Sequence, residues 1–431
     1  MSYFKSRSFL SRKVIQGPPL KGVKCLQSFQ GPYKVLNDRM DGVVTSKLPY
    51  GTKQLSPLTR VGKLAESATR RLTVPTRDWV RNRRYVRADR KIALVRHRKG
   101  LPSYYKKFLH WTAQNFPEVR SQMELRLLPC GIRNGSQCSL VVPWLPDTLL
   151  YRDGKVRQQA FALTATADAH GVPVINRPEH LLSTSKHDCA QRIAELGVRT
   201  PQVKRILDIE GFRRNLNGLK PPLLVREDLA HGGWSPVFVL HTVADCATVP
   251  LEKFAQPIAV EYVDVRDPRD RLVRKYRYMA MGKTGIAHTL QISKNWEVRS
   301  GVRVLTDQTI AEEIQYADTP DPHHEVFQHL RHGLDLDFLA FDYSLDRQGE
   351  LVIWEINVLP GLGLPTGPNR SHLVPPIERA MAATLQMYLE RAGLELPSGL
   401  KKKLEVEPRR SVITDVAVQN SDGSRPMGEA A

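Results

Sequence analysis

Two acids and an amide near the C-terminal end of the chain stand at a spacing suited to metal chemistry. Phe338-Leu-Ala-Phe-Asp342-Tyr-Ser344 is followed by a turn and then by Leu351-Val-Ile-Trp-Glu355-Ile-Asn357-Val-Leu-Pro-Gly361. Both runs have strand character, and Asp346-Arg-Gln-Gly349 between them is a hairpin turn signal. Glu355 and Asn357 are two residues apart, so their side chains leave the same face of the second strand. Val352, Trp354 and Ile356 are expected on the opposite face, against the core. The hairpin sets Asp342 on the neighbouring strand near that site. An Asp, a Glu and an amide oxygen make a hard oxygen set suited to Mg2+, which commonly bridges carboxylates to nucleotide phosphates. The plain alternative is a solvated hairpin that carries acids by chance. The apolar flanks and the Pro-Gly exit, present together, weigh against it.

A second cluster is cationic. Lys275 and Arg277 share one strand face by period two. They are candidates to present two positive charges to phosphates or to a substrate carboxylate. The alternative is an exposed charged face in an already basic protein. Other chemistries find no support. The chain has no Walker A loop, no Gly-x-Ser-x-Gly elbow and no His-Glu-x-x-His pair. His323, His324 and His332 lack a matching zinc set.

The elements that must position these residues are legible at coarse grain. Lys91–Arg96, Met123–Leu128, Cys138–Pro143 and Gly171–Asn176 have strand character and alternate with helical stretches over 103–116 and 156–170. That alternation predicts a parallel sheet in an α/β layer. A helix follows over 185–196, with Ser183, Thr184 and Ser185 competing to cap it. After it come Pro221–Arg226, Val237–His241, Ile258–Val265, Arg274–Gly282 and Gly285–Ile292, strands joined by short polar turns. Helices over 307–317 and 324–332 precede the acid-bearing hairpin, and a closing helix is expected over 379–392. This second part predicts an α+β region.

The hairpin pattern resembles the metal-binding hairpin of ATP-grasp enzymes: an Asp, Glu-x-Asn thirteen residues later, and then Pro-Gly. D-alanine–D-alanine ligase and glutathione synthetase are the relatives of the pattern, and the resemblance covers about residues 90–393. It implies an ATP-grasp fold with ATP and Mg2+ as cofactors, and Asp342, Glu355 and Asn357 as metal ligands. Lys186, after Thr184-Ser185, is similar to the family's first nucleotide lysine. Pro221-Pro-Leu-Leu-Val-Arg226 followed by His231-Gly232-Gly233 resembles the second nucleotide strand and its phosphate loop, where glycines let backbone N–H groups turn toward phosphate. Most relatives carry Lys where this chain has Arg226, a planar fork in place of a point charge. Glu261, Tyr262 and Val263 resemble the hinge strand beside adenine. Lys275-Tyr-Arg277, His288-Thr-Leu-Gln-Ile-Ser293 and Trp296 are similar to marks of a little-characterised subgroup, with Lys275 and Arg277 as the catalytic cations.

The resemblance implies a ligase in which a carboxylate attacks the γ-phosphate of ATP and an amine or similar nucleophile captures the acylphosphate, releasing ADP and phosphate. Its substrates are small-molecule or peptide carboxylates and amines. Two alternatives stay open on the sequence: a nucleotide-binding protein with little turnover, and an ATP-dependent kinase. The domain expectation is a basic extension over 1–88, a pre-grasp α/β domain over 89–182, an ATP-grasp domain over 183–393 and a disordered tail over 394–431.

Charge and composition bound the rest. The formal net charge is +20, and between Arg60 and Lys107 sixteen basic residues face three acidic ones, a net +13 in that stretch. Such an arm suits a polyanion or an acidic partner; the bland reading is a solvated arm. Residues 1–37 contain no Asp or Glu, a composition shared with transit peptides and with the basic arm that follows. No run approaches the roughly 18 apolar residues of a membrane span. Five cysteines, an odd number with no Cys-x-x-Cys pair, argue against a disulfide scaffold and for a reducing, cytoplasmic setting.

Overall fold

The computed structural model describes residues 73–405, apart from 101–104, 133–136, 231–235, 299–301 and 365–367. The described residues belong to one compact unit. Its N-terminal layer contains helix α1 (73–85), strand β1 (Lys91–Arg96), helices α2 (Tyr105–Asn115) and α3 (Pro117–Arg120), strands β2 (Met123–Leu127) and β3 (Cys138–Pro143), and helices α4 (Asp147–Arg152) and α5 (Gly154–Ala169). The three strands pair in parallel in the order β2-β1-β3. Ile92 through Val95 are fully buried, as in a parallel sheet covered on both faces. Ile92 and Leu94 join one core cluster with Phe108 and Trp144, while Ala93 and Val95 join another with Leu163.

Helix α6 (Lys186–Glu195) follows, and Ser185 caps it, its hydroxyl accepting from Asp188 N at 3.1 Å. Next come β4 (Val203–Arg205), α7 (Ile209–Asn215), β5 (Leu223–Glu227), β6 (Phe238–Leu240) and β7 (Pro257–Glu261). These strands form an antiparallel sheet in the order β4-β7-β5-β6, with its own small core around Phe212, Leu223, Val225 and Ala259.

The third sheet is built from β8 (Val273–Met281), β9 (Thr284–Ser293), β10 (Phe338–Leu345) and β11 (Leu351–Asn357), antiparallel in the order β11-β10-β8-β9. Helices α8 (Asp307–Asp318) and α9 (His324–Gly333) precede its last two strands, and α10 (Val374–Ala392) closes the chain's main body. The β10–β11 turn forms as the sequence predicts. Gly349 N donates to Asp346 O at 3.0 Å, and Gly349 takes φ 83°, which a side chain would disfavour. Helix α10 begins earlier than residue 379, because Pro375 and Pro376 fall in its first turn, where no N–H is needed. The mixed α/β and α+β architecture expected from the sequence is present, with one parallel and two antiparallel sheets.

Several expectations are corrected. Gly171–Asn176 contributes a single bridge, Val141 to Val174, and no strand; Asn176 sits at φ 46° and turns the chain away. Both large core clusters take residues from either side of the 182/183 border. The basic extension is not loose up to residue 88. In α1, Val74, Asp78, Asn82 and Tyr85 share one helix face. Asp78 pairs with Arg96, both side chains buried. Asn82 bonds both backbone groups of Leu125, its amide donating to the carbonyl at 2.9 Å and its oxygen accepting from the N–H at 3.0 Å. It thereby covers the open edge of β2. At the other end, Leu400 is 1% exposed in the main core, so residues 394–405 pack where disorder is expected. Residues 1–72 and 406–431 lie outside the described residues.

Candidate functional site

Pairing in the third sheet aligns four residues in one cross-strand row: Glu355, Asp342, Arg277 and Thr289. Asn357 pairs with Ala340, one step along the same face. The row is flanked by two β-bulges. On β11 the register passes from Glu355 to Ile353, leaving Trp354 as the extra residue. On β9 it passes from Thr289 to Ala287, leaving His288 as the extra residue. Bulges re-aim side chains and gather beside functional sites.

The β11 bulge corrects the expected alternation. Ile353 and Ile356 both reach the core, and Val352 pairs with Ser344 on the face that carries Asp342. Trp354 is half-buried, and its indole N–H donates to Ser344 Oγ at 2.8 Å. Of the three residues expected on the core face, Ile356 alone is there.

The carboxylates of the row meet cations. Asp342 is 1% exposed and receives Arg277 Nε at 2.6 Å and Nη2 at 2.9 Å. Lys275 Nζ stands 3.5 Å from the same carboxylate. Lys275 and Arg277 do share a face, but here they face Asp342. Glu355 is met from α6 by Lys186 Nζ at 3.6 Å. Lys186 also donates to the carbonyl of Ala230 at 2.7 Å. Burial pushes the Lys186 amine below its ordinary pKa, Glu355 pulls it up, and Arg226 pushes it down again. Arg226 therefore lies within electrostatic reach of Lys186, so α6 and β5 bring together the two predicted nucleotide cations. A small indentation beside this point is lined by Lys186, Cys189, Trp354 and Glu355 among others.

Several buried polar atoms of the predicted site residues and their neighbours are unsatisfied. Arg226 Nε, Asn357 Nδ2, Asp228 Oδ2 and both ring nitrogens of His288 are buried with no hydrogen-bond partner among the described residues. His288 is 6% exposed, and burial, reinforced by Arg277, pushes its pKa down to about 3, so the ring is neutral. Buried polar groups are ordinarily paired, so each of these exceptions calls for an explanation.

The remaining predicted residues divide. The hinge strand stops at Glu261, whose carboxylate accepts from Gln202 N at 2.9 Å. Tyr262 and Val263 lie just beyond it: Tyr262 N donates to Pro222 O at 3.3 Å, and Val263 packs beside Trp354 in a small apolar cluster. His231, Gly232 and Gly233 lie outside the described residues. Asp228, whose carbonyl accepts from Lys186 at 3.4 Å, has no local signature in the sequence, and the core placement expected for Trp354 fails because a bulge has none either. His288 was noted without a role.

The donor types of the expected trio suit Mg2+. Among the described residues no group of three or more His, Cys, Asp and Glu converges. The trio supplies two carboxylates and an amide, all oxygen donors of the kind magnesium takes. A carboxylate offers about four lone-pair sites, so Asp342 keeps acceptor capacity beside Arg277.

No family model matches the chain, and no curated protein matches it in sequence. Among solved structures it is similar to D-cycloserine synthetase DcsG, with 13% identity over 70% of this chain and 99% of that one and a TM-score of 0.47. It is similar to the VanG D-Ala:D-Ser ligase from Enterococcus faecalis, with 11% identity over 71% and 100% and a TM-score of 0.44. It is also similar to the D-alanine–D-alanine ligase from Bacillus anthracis complexed with ATP, with 12% identity over 71% and 97% and a TM-score of 0.43.

Proposed function

We propose that this chain is an ATP-grasp ligase that uses ATP and Mg2+ to join a carboxylate to an amine or similar nucleophile. The observation that carries the reading is the register of β10 and β11. It sets Asp342 opposite Glu355 with Asn357 on the same face, and Lys186 from α6 stands 3.6 Å from Glu355. Acids that hold a metal, beside cations that hold phosphates, is what phosphoryl transfer requires.

In this reading Lys186 and Arg226 bind the phosphates, and the backbone over 261–263 borders the base. Asp342, Glu355 and Asn357 hold Mg2+, which when bound offsets charge on the transferring phosphoryl group. Lys275 and Arg277 fix the Asp342 carboxylate and present positive charge to the substrate side of the row. The substrate carboxylate oxygen attacks the γ-phosphorus, and ADP leaves. The amine nitrogen then attacks the acyl carbon, phosphate leaves, and the amine gives up a proton. The side chains contribute mainly placement and charge stabilisation.

A second reading is nucleotide binding with little turnover. It has one observation in its favour: Asp342 is already engaged by two cations. One assay separates the two. Purified protein is incubated with Mg·ATP and a panel of amino acids and dipeptides, and nucleotide products are resolved. Acceptor-dependent ADP and phosphate support the ligase, and a phosphorylated end product would instead make it a kinase. AMP and pyrophosphate as the main products would reject the acylphosphate route.

A further inference from the structure

The bulge on β9 leaves an unexplained group. His288 is more than nine-tenths buried, yet neither ring nitrogen has a partner among the described residues. The extra residue in the register places this side chain beside the Arg277–Asp342 pair, at the end of the row opposite Glu355. The charged groups that face it are Arg277, Asp342 and, from α10, Arg379. Two of the three are cations. Arg379 is anchored to Ala317 O and Asp318, and Arg277 is anchored to Asp342, so both are held in place. A neutral imidazole offers one N–H donor and one acceptor. Desolvating both without compensation is unfavourable, so the ring calls for a partner, and its place beside Arg277 and Asp342 makes a substrate group a candidate.

We propose that His288 is a substrate-binding residue, whose ring N–H hydrogen-bonds the carboxylate of the acyl-donor substrate beside Arg277. An anion suits a position faced by two guanidinium groups, whereas an ammonium group is repelled there. In the ligase reading the nucleotide phosphates have a cation of their own in Lys186, beside Glu355 at the other end of the row. The inference rests on the ligase reading and deepens it, because it names the end of the row at which the carboxylate enters.

The test uses the full chain with His288→Leu and His288→Gln. Thermal unfolding is followed for the free protein, with Mg·AMP-PNP, and with Mg·AMP-PNP plus each of a panel of amino acids and dipeptides. In the free state His288→Leu is expected to unfold at the wild-type temperature or above it, since an unsatisfied polar group is replaced by an apolar one. The shift with Mg·AMP-PNP is expected to survive in both variants. The concentration of carboxylate that half-saturates the further shift is expected to rise at least about tenfold in His288→Leu and to recover in part in His288→Gln, which keeps a donor. A lower melting temperature for free His288→Leu, with the carboxylate response intact, would show a structural histidine and overturn the proposal. Loss of the Mg·AMP-PNP shift in His288→Leu would place the imidazole on phosphate and overturn it as well. A wild-type protein that responds to nucleotide but to no carboxylate also overturns it. A wild-type protein that fails to respond to Mg·AMP-PNP at all defeats the ligase reading itself, and the nucleotide arm tells that failure apart.

Discussion

The two antiparallel sheets have the same number of strands but use their interiors differently. The sheet β4-β7-β5-β6 closes on an apolar cluster of its own around Phe212, Leu216 and Leu223. The sheet β11-β10-β8-β9 is apolar on one side of its central strands, where Tyr278, Phe341 and Tyr343 pack with Phe327. Its other side carries Lys275, Arg277, Asp342 and Glu355. The first sheet is organised for stability; next to it, Asp228 turns its carbonyl to Lys186 and its Oδ2 to Arg205 Nε at 3.9 Å. The second places a buried ion pair on its two central strands and an unpaired imidazole on its edge strand β9, where apolar residues of similar volume are often as stable or more so.

The largest expected effect comes from breaking the charged face. Asp342→Asn and Glu355→Gln keep shape and remove charge, and each is expected to cut turnover by orders of magnitude, since phosphoryl transfer depends on the metal to offset developing charge. Nucleotide affinity should fall much less. Asn357→Ala should be milder, because water can partly replace a neutral ligand. Turnover against magnesium concentration measures all three, and wild-type behaviour in both acid variants would sink the assignment of this hairpin.

The apolar sheet is expected to respond in stability. Phe212 is fully buried, and Phe212→Ala should cost about 3–5 kcal/mol in denaturant unfolding. A loss below about 1 kcal/mol would mean that this lobe does not depend on its own core.

A comparable loss is expected in the N-terminal layer, from truncation. Removing residues 1–72 should leave the stability of the body unchanged and reduce any salt-sensitive polyanion binding. Removing residues 1–88 takes Asp78 from the buried Arg96 and uncovers the β2 edge. It should cost about 3–5 kcal/mol. Equal stability of the two truncated proteins would return α1 to the dispensable arm.

The smallest effect sharpens the contrast within the site sheet. At the start of β8, Arg274 is bonded by Asp270 and Glu312, and Asp267 stands 3.2 Å away. That bonding lowers the Asp270 carboxyl to about 2, below its unfolded value. A depressed carboxylate contributes stability that is present above about pH 4 and lost as pH falls toward 2. Asp270 is partly exposed, so the contribution is on the order of 1 kcal/mol after screening. Asp270→Asn should flatten that part of the acid stability curve, and an unchanged slope between pH 4 and 2 would show the pair to be idle.

The sequence by itself determined the strands that carry the site. Hydrophobic period, the Asp346–Gly349 turn and the Glu-x-Asn spacing are local, so the β10–β11 hairpin and the shared face of Glu355 and Asn357 were legible. So was Ser185 as one candidate cap of α6, placing Lys186 at a helix start. Only the tertiary structure decided what those residues meet. The bulges at Trp354 and His288 arise from the match between neighbouring strands, and one extra residue flips a side chain that period two assigns elsewhere. The pairing of Arg277 with Asp342 joins residues 65 apart in the chain, and that of Asp78 with Arg96 joins a seemingly loose arm to a buried strand. A charge run has no periodicity to show that one of its acids is buried. Such partners are chosen by the low dielectric of the assembled core, where a charge must find its opposite, and no single strand or helix carries that information.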